Sequence, residues 1–444
     1  MVRRIIVALL RFALRAYFRR VEVVGLEHVP RDSPLIFVLN HPNALVDPAF
    51  LLVLAPREVS FLAKAPLFRM PVLGYFVRAM DALPVYRHQD EGEDVSKNSE
   101  MFVAARKLLA RGGTIGICPE GVSHDEKRLR PIKTGAARIA LGAVSTGEVK
   151  SLKIVPAGLY YTSKTKFRSE ALLYFGKPID VEPVPLEDGV NPSRAAVREL
   201  STRIENALRE VMLDAEHEEA LHTITRAEKI FSSATDDDGD ESLAQELQLQ
   251  QRFIKAYTIL RERAPERLLR LETRMSRFEE ELTQAGVDPD DLSPPKSTGA
   301  VFSHLISRVV LFLLLIGPAL FGAAVHYPAY RLGGFLATRF SKTEEDVIST
   351  VKILSAMLLF PLTWIVAGVV SYQLWGWGIA AAIVLLLPLA GYLAIRFFEG
   401  IDSFMGGLRA LVFFLMRRRF FVRLLAERNA IRNEILALGK ETTS

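Results

Sequence analysis

The chain predicts an α/β fold, a layered sheet with flanking helices, followed by a C-terminal helical membrane region. Three observations carry this expectation. From residue 21 to about 213, short apolar runs alternate with amphipathic stretches, the pattern of strands and helices packed in layers. Residues 309–325 and 353–395 are almost free of charge, and lengths near twenty suit a bilayer better than a soluble core. Half of the residues are hydrophobic, and 444 residues exceed what one ordinary core accommodates.

The predicted strands are 21–24, 35–39, 59–63, 114–118, 154–160 and 172–175. Between them, 99–111 carries Phe102, Ala105, Leu108 and Leu109 on one face and stops at Gly112 and Gly113. Residues 134–145 and 193–212 also read as helices, the latter with Val197, Leu200, Ile204, Leu208 and Val211 at helical spacing. Residues 232–242 are acidic and small and read as a linker or exposed loop. A helical segment runs from 243 to about 286, and the prolines through 294–295 mark a break. Segments 353–374 and 379–395 read as a helical hairpin turned at Trp375–Gly378; 309–325 can make one helix, or a re-entrant segment at Pro318, since three crossings would set the basic tail opposite the catalytic domain against the positive-inside preference. The expected organisation is a membrane-interface helix at 1–20, a catalytic domain at 21–225, a linker and soluble helical segment at 226–300, transmembrane or re-entrant helices at 301–400, and a basic amphipathic helix at 401–444 that also suits an interface.

Six arginines and no acid occupy the first twenty residues, with Ile5, Leu9, Phe12 and Ala16 on one helical face. Arg11 and Arg15 interrupt any secretory apolar core, so an interfacial helix is expected, with a targeting peptide and a plain surface helix as rivals. The net charge of +5 is concentrated beside apolar segments, which favours a lipid surface over nucleic acid as partner. The single cysteine, Cys118, leaves no intrachain disulfide and no cysteine-built metal site. It reads as a buried strand thiol before an acyl-enzyme nucleophile.

Four motifs carry chemistry. Asn40–His41–Pro42–Asn43–Ala44–Leu45–Val46–Asp47–Pro48 follows a strand, and an Asp can orient a His as general base. Six residues is a poor helical spacing, and both prolines disfavour helix before them, so only a bent loop can pair His41 with Asp47. Asp47 before Pro48 reads equally as a helix N-cap, and His41 as a loop residue. Pro119–Glu120–Gly121–Val122–Ser123 follows another strand, with Lys127, Arg128, Arg130 and Lys133 downstream, enough charge to hold a phosphate but also the look of a solvated face. Arg87 can grip a phosphate bidentately or be a surface arginine. Val155–Pro156 lies in an apolar strand and reads on its own as core. No Walker loop or dinucleotide fingerprint is present.

In order, these blocks resemble the signature blocks of the PlsC-like glycerolipid acyltransferase superfamily, and in particular its branch of yeast-type glycerol-3-phosphate and dihydroxyacetone-phosphate acyltransferases. The resemblance rests on NHPNALVDP, PEGVSHDEKRLRPIKTGAARIAL at 119–141, IVPAGLYY at 154–161 and KFRSEALLYFGKPI at 166–179. Five residues separate His41 from Asp47 where most of the superfamily has four, and Cys118 stands where a Phe is usual. The resemblance implies a glycerol-3-phosphate-acyltransferase-like fold and a membrane-bound enzyme whose catalytic domain faces the cytoplasm. His41 would be the base and Asp47 its partner. Arg87, Glu120, Gly121, Ser123 and Lys133 would bind glycerol phosphate, and Val155 and Pro156 would line the acyl-donor site. The implied co-substrate is acyl-CoA or an acyl-carrier protein, with no metal and no cofactor. Lysophosphatidate as acceptor, and an inactive membrane scaffold or lipid-binding protein, are the alternatives.

Overall fold

The computed structural model describes residues 1–187, 191–215, 219–221, 223, 226–227, 242–285, 298–341, 345–416 and 418–441. The expected linker at 232–242 and the proline break at 288–295 lie outside them, apart from Ser242. Two compact units are present: Met1–Asp214 with Ser242–Leu247 and Leu336–Leu354, and Ala215–Glu241 with Gln248–Phe335 and Ser355–Ser444.

The first unit is built on an eight-stranded sheet. Its strands are β1 (Arg20–Val24), β2 (Leu35–Leu39), β3 (Ser60–Lys64), β4 (Leu83–Val85), β5 (Thr114–Ile117), β6 (Leu152–Tyr161), β7 (Glu170–Phe175) and β8 (Ile179–Val181). Their order is β1-β7-β6-β2-β5-β3-β4, with β8 paired to β6. β2 runs parallel to both β5 and β6, and β6 turns antiparallel to β7. All five residues of β2 are buried, as an apolar run between two parallel neighbours requires. Its side chains divide by the two-residue period: Ile36 and Val38 join a core with α5 (Asn98–Ala110), α6 (Gly135–Ser145) and α7 (Arg194–Val211). Phe37 on the opposite face meets Phe175.

The remaining helices of this unit are α1 (Val2–Tyr17), α2 (Val46–Leu54), α3 (Ala65–Arg69) and α4 (Pro71–Ala79). α5 ends at the Gly112 left-handed turn (φ +79°), where glycine carries no Cβ penalty. α7 starts on Ser193, whose hydroxyl accepts from the Ala196 amide. α1 buries Ile6, Ala13, Leu14 and Tyr17, leaving Ile5, Leu9 and Phe12 exposed beside Arg4, Arg11 and Arg15. β4 and β8, with three residues each, and the short α3 and α4 were not predicted; elements this short carry little periodicity.

The 243–286 stretch is two helices, α8 (Leu243–Arg263) and α9 (Pro265–Ala285), because Pro265 cannot continue the first and fits the first position of the second. Three long helices follow, α10 (Thr298–Phe340), α11 (Glu345–Trp375) and α12 (Trp377–Met416), then α13 (Arg418–Glu441). α10 runs unbroken through Pro318 and Pro328, so the re-entrant turn expected at Pro318 does not form. Among the described residues, Val309–Phe340, Asp346–Trp375 and Trp377–Ile401 are long and apolar enough to cross a membrane. α11 turns into α12 at Gly376 (φ +81°), within the predicted Trp375–Gly378 turn.

Inside the second unit, His326 of α10 hydrogen-bonds through Nδ1 with the Gly322 carbonyl (2.7 Å), and its Nε2 accepts from Trp364 Nε1 (2.8 Å). One half-buried imidazole thus ties α10 to α11 with both nitrogens satisfied. In α13, Phe421, Leu424, Ile431 and Ile435 are buried, and Arg274 of α9 pairs with Glu427 and Glu434.

Candidate active site

The polar residues of the motifs gather where parallel strands end, the usual location of sites in such sheets. β2 delivers Asn40 and His41, β5 delivers Cys118 to His124, and β4 delivers Arg87. Asn40 sets the exit of β2. Its amide donates to the Leu159 carbonyl (2.9 Å) and accepts from the Leu159 amide (2.7 Å), locking the loop to β6.

The bent loop that the spacing demanded is present. The chain turns at Asn43, where the Val46 amide returns to the Asn43 carbonyl (2.9 Å), and Ala44 takes a positive φ of 30°. This brings Asp47 Oδ2 to 2.9 Å from His41 Nδ1. Asp47 is not the helix cap: α2 is preceded by Leu45, which makes no side-chain cap. Asp47 is fully buried, and its oxygens are taken up by His41, by the Asn43 amide (2.6 Å) and by the Tyr161 hydroxyl (2.7 Å). Tyr161 ends β6 among Phe18 and Phe50. The predicted strand stops at 160, and Tyr161 stands only at the end of the IVPAGLYY block. A buried phenol needs a partner for its hydroxyl, which is the signal that could have found it.

Burial penalises a charged imidazole, but the Cys118 sulfur, within hydrogen-bonding reach, and the Asp47 carboxylate outweigh it. They hold the His41 pKa well above the ordinary histidine value. Burial and the adjacent Asp47 charge push the Tyr161 phenol well above its usual value, so it remains a donor.

Glu120 was expected to face substrate. It is buried and fully occupied by the protein: Oε1 accepts from the His41 amide (3.0 Å), and Oε2 accepts from the Arg130 amide (3.0 Å) and pairs with His124 Nε2. The His124 amide returns to the His41 carbonyl (3.2 Å). The backbone of His41 is thus gripped on both sides by the Glu120–His124 turn. His124 stood inside the motif block without a role, because a backbone clamp leaves no local pattern.

Gly121 takes φ +75°, and a Cβ there would meet the Lys133 ammonium. Ser123 is half-buried on the same turn. The Arg87 guanidinium donates to the Gly121 carbonyl (2.7 Å) and bidentately to Asp90 (2.7 and 2.8 Å). Val155 and Pro156 are buried in β6, in register with Phe37 and Val38, so they sit in the sheet interior. The structure therefore brings His41, Asp47, Glu120, Gly121, Arg87 and Lys133 together and keeps Val155 and Pro156 in the core.

Residues 20–160 match the acyltransferase family model, and residues 236–443 match that of the glycerol-3-phosphate acyltransferase 2 C-terminal domain. The chain thus joins an acyltransferase segment to a glycerol-3-phosphate acyltransferase 2 C-terminal segment, in keeping with the resemblance to the PlsC-like glycerolipid acyltransferases. An uncharacterized acyltransferase of Schizosaccharomyces pombe is 25% identical to this acyltransferase over 86% of the chain and 72% of its own length. Glycerol-3-phosphate O-acyltransferase 1 of Saccharomyces cerevisiae is 26% identical over 81% of the chain. The chain spans 60% of the length of that yeast protein. The crystal structure of the 1-acyl-sn-glycerophosphate acyltransferase PlsC from Thermotoga maritima aligns at a TM-score of 0.34 and 19% identity, covering 47% of this chain and 80% of that one.

Proposed function

We propose that this acyltransferase moves a fatty acyl group from an acyl thioester to a hydroxyl of glycerol-3-phosphate, at a membrane surface and facing the cytoplasm. The observation that carries the reading is the His41–Asp47 pair at 2.9 Å at the end of β2. With Nδ1 committed to Asp47, His41 takes the acceptor's hydroxyl proton at Nε2 as that oxygen attacks the thioester carbonyl. The carbon–oxygen bond forms, the tetrahedral intermediate expels the thiolate, and the imidazolium returns its proton to sulfur. Base assistance of this kind is worth about 100- to 10,000-fold. Asp47 stabilises the imidazolium as it forms, and the Glu120–His124 clamp keeps the ring from drifting.

Arg87 and Lys133, beside Gly121, supply the positive charge for the acceptor's phosphate. The donor is acyl-CoA or an acyl-carrier protein, and the reading routes no step through a metal or organic cofactor. Dihydroxyacetone phosphate offers the same pairing of phosphate and hydroxyl. The exposed apolar stripe of α1, flanked by arginines, suits an anionic lipid surface, and the three long helices suit a membrane anchor. The test is turnover by the purified full-length chain with radiolabelled glycerol-3-phosphate and acyl-CoA, products resolved by chromatography. Absence of labelled lipid with acyl-CoA, and again when acyl-carrier protein replaces it as donor, sinks the reading and returns the scaffold alternative.

A further inference from the structure

We propose that Asp90 occupies the phosphate seat of this enzyme and is displaced by the incoming acceptor. The inference rests on the reading above, in which Arg87 faces the acceptor's phosphate. Arg87 leaves β4, and its planar fork points Nε and Nη2 at the two oxygens of Asp90 (2.8 and 2.7 Å), the bidentate geometry with which arginine grips carboxylate and phosphate alike. Two further cations act on the same carboxylate through their charge, at longer range than Arg87. Lys64 ends β3 in register with Val85, two residues before Arg87. Lys133 packs its ammonium against Gly121, whose carbonyl accepts from Arg87. The hydrogen bonds from Arg87, with the charges of Arg87, Lys64 and Lys133, outweigh partial burial and hold the Asp90 carboxyl below the usual carboxylate range. Gly121 adjoins Glu120, which holds the His41 amide. A phosphate in place of the Asp90 carboxylate would therefore stand one residue along the chain from the base's clamp.

Asp90 is suited to yielding the seat. It sits on a surface turn, with its amide bonded to the Arg87 carbonyl (3.1 Å) and its own carbonyl accepting from Glu93 (3.3 Å). Beyond Gly92, at φ +73°, Glu93 pairs with Arg69 and the Asp94 side chain accepts from the Ser96 amide. The turn is thus tethered past its tip while Asp90 is held mainly by its ion pair. A carboxylate carries one negative charge, whereas a phosphomonoester carries up to two and offers three acceptor oxygens. The phosphate gains more from three cations than Asp90 does, and a phosphate-free acceptor such as glycerol has no means of opening the seat. Asp90 then acts as a specificity residue, making occupancy by a phosphomonoester a condition of binding.

Asp90→Asn keeps the shape and removes the charge. In the full-length protein the expected result is a KM for glycerol-3-phosphate about three- to tenfold lower, since an internal competitor reduces apparent affinity by the fraction of seats it fills. The KM for acyl-CoA should not change, and 1-acylglycerol-3-phosphate, the other phosphomonoester source, should gain by the same factor. Binding of inorganic phosphate, followed by calorimetry on both proteins, reads the seat without turnover and should tighten in parallel. This arm separates the two claims: loss of the acyl-transfer reading abolishes turnover and leaves the change in phosphate binding intact. If Asp90→Asn does not fold, hydrogen exchange in the wild-type protein decides, because phosphate should speed exchange at the Asp90 and Glu93 amides. Phosphate affinity that is unchanged or weaker in Asp90→Asn, or wild-type exchange that phosphate leaves unaltered when the variant does not fold, overturns the proposal and makes Asp90 a strut for Arg87.

Discussion

The Tyr161 hydroxyl donates to Oδ1 of Asp47, the carboxylate whose Oδ2 holds the imidazole of His41. In the proposed mechanism Tyr161 therefore tunes His41 from a distance, by drawing off part of the charge that favours the imidazolium. In Tyr161→Phe that charge is concentrated on Asp47, and the His41 pKa rises further. The acid limb of the pH–activity profile should move to higher pH, with activity at neutral pH falling severalfold and recovering partly in alkaline buffer. The bare buried oxygen also costs about 1–3 kcal/mol, visible as a lower melting temperature. A uniform loss of activity with an unmoved limb would make Tyr161 purely structural.

The wild-type profile has its own expected sign. Despite burial, the Cys118 sulfur and the Asp47 carboxylate raise the His41 pKa above the ordinary histidine value, so the acid limb of the activity profile should lie at higher pH than a free imidazole would give. Asp47→Asn removes the anion that favours the imidazolium, which lowers the His41 pKa, so the limb should shift to lower pH while the plateau drops. Asn caps a helix as well as Asp, so a capping role predicts little change in either. His41→Ala should abolish transfer without unfolding the protein, and activity within about threefold of wild type would remove His41 from the base role.

The sequence made His41, Asp47 and the central strand legible because each leaves a local mark: an apolar run, a motif, a spacing that only a turn can satisfy. The stop of α5 at Gly112 was legible for the same reason. The roles of Glu120, His124 and Tyr161 were not, because each depends on a partner brought close by parallel strand pairing rather than by neighbouring positions. Glu120 looked like a ligand for substrate since a carboxylate after a strand reads as polar lining. Its oxygens instead satisfy backbone amides that the tight turn would strand. The same blindness hid the segment 345–354. It falls within the expected 301–400 membrane region, yet the Thr350 hydroxyl accepts from the Leu45 amide (3.3 Å), Ser349 hydrogen-bonds Tyr17 (3.1 Å), and Lys352 reaches the Thr165 carbonyl (2.6 Å).

That contact gives a prediction for a residue far from the motifs. Leu45 follows Ala44, whose positive φ makes the catalytic turn costly to hold. Thr350→Val keeps the shape and removes the acceptor for the Leu45 amide, a loss of about 1 kcal/mol local to the turn. Steady-state kinetics should show kcat down severalfold with both KM values within twofold of wild type. An unchanged kcat would mean that the turn holds itself.

The acceptor itself is the last expectation. Glycerol-3-phosphate should be preferred over lysophosphatidate. The five-residue His41–Asp47 spacing, the PEGVSHD block and the paired apolar helices occur together here, and the C-terminal half matches the glycerol-3-phosphate acyltransferase 2 C-terminal domain. The geometry around Arg87 and Lys133 does not separate the two acceptors, because both present one phosphomonoester and a nearby hydroxyl. The difference lies in whether an acyl chain already on the acceptor must be housed. Both acceptors at equal concentration with one acyl-CoA, products separated by chromatography, measure the preference directly. Label appearing mainly in lysophosphatidate made from glycerol-3-phosphate bears the assignment out. Mainly phosphatidate, with little acylation of glycerol-3-phosphate, would reassign the enzyme to the second acylation and leave the roles of His41 and Asp47 unchanged.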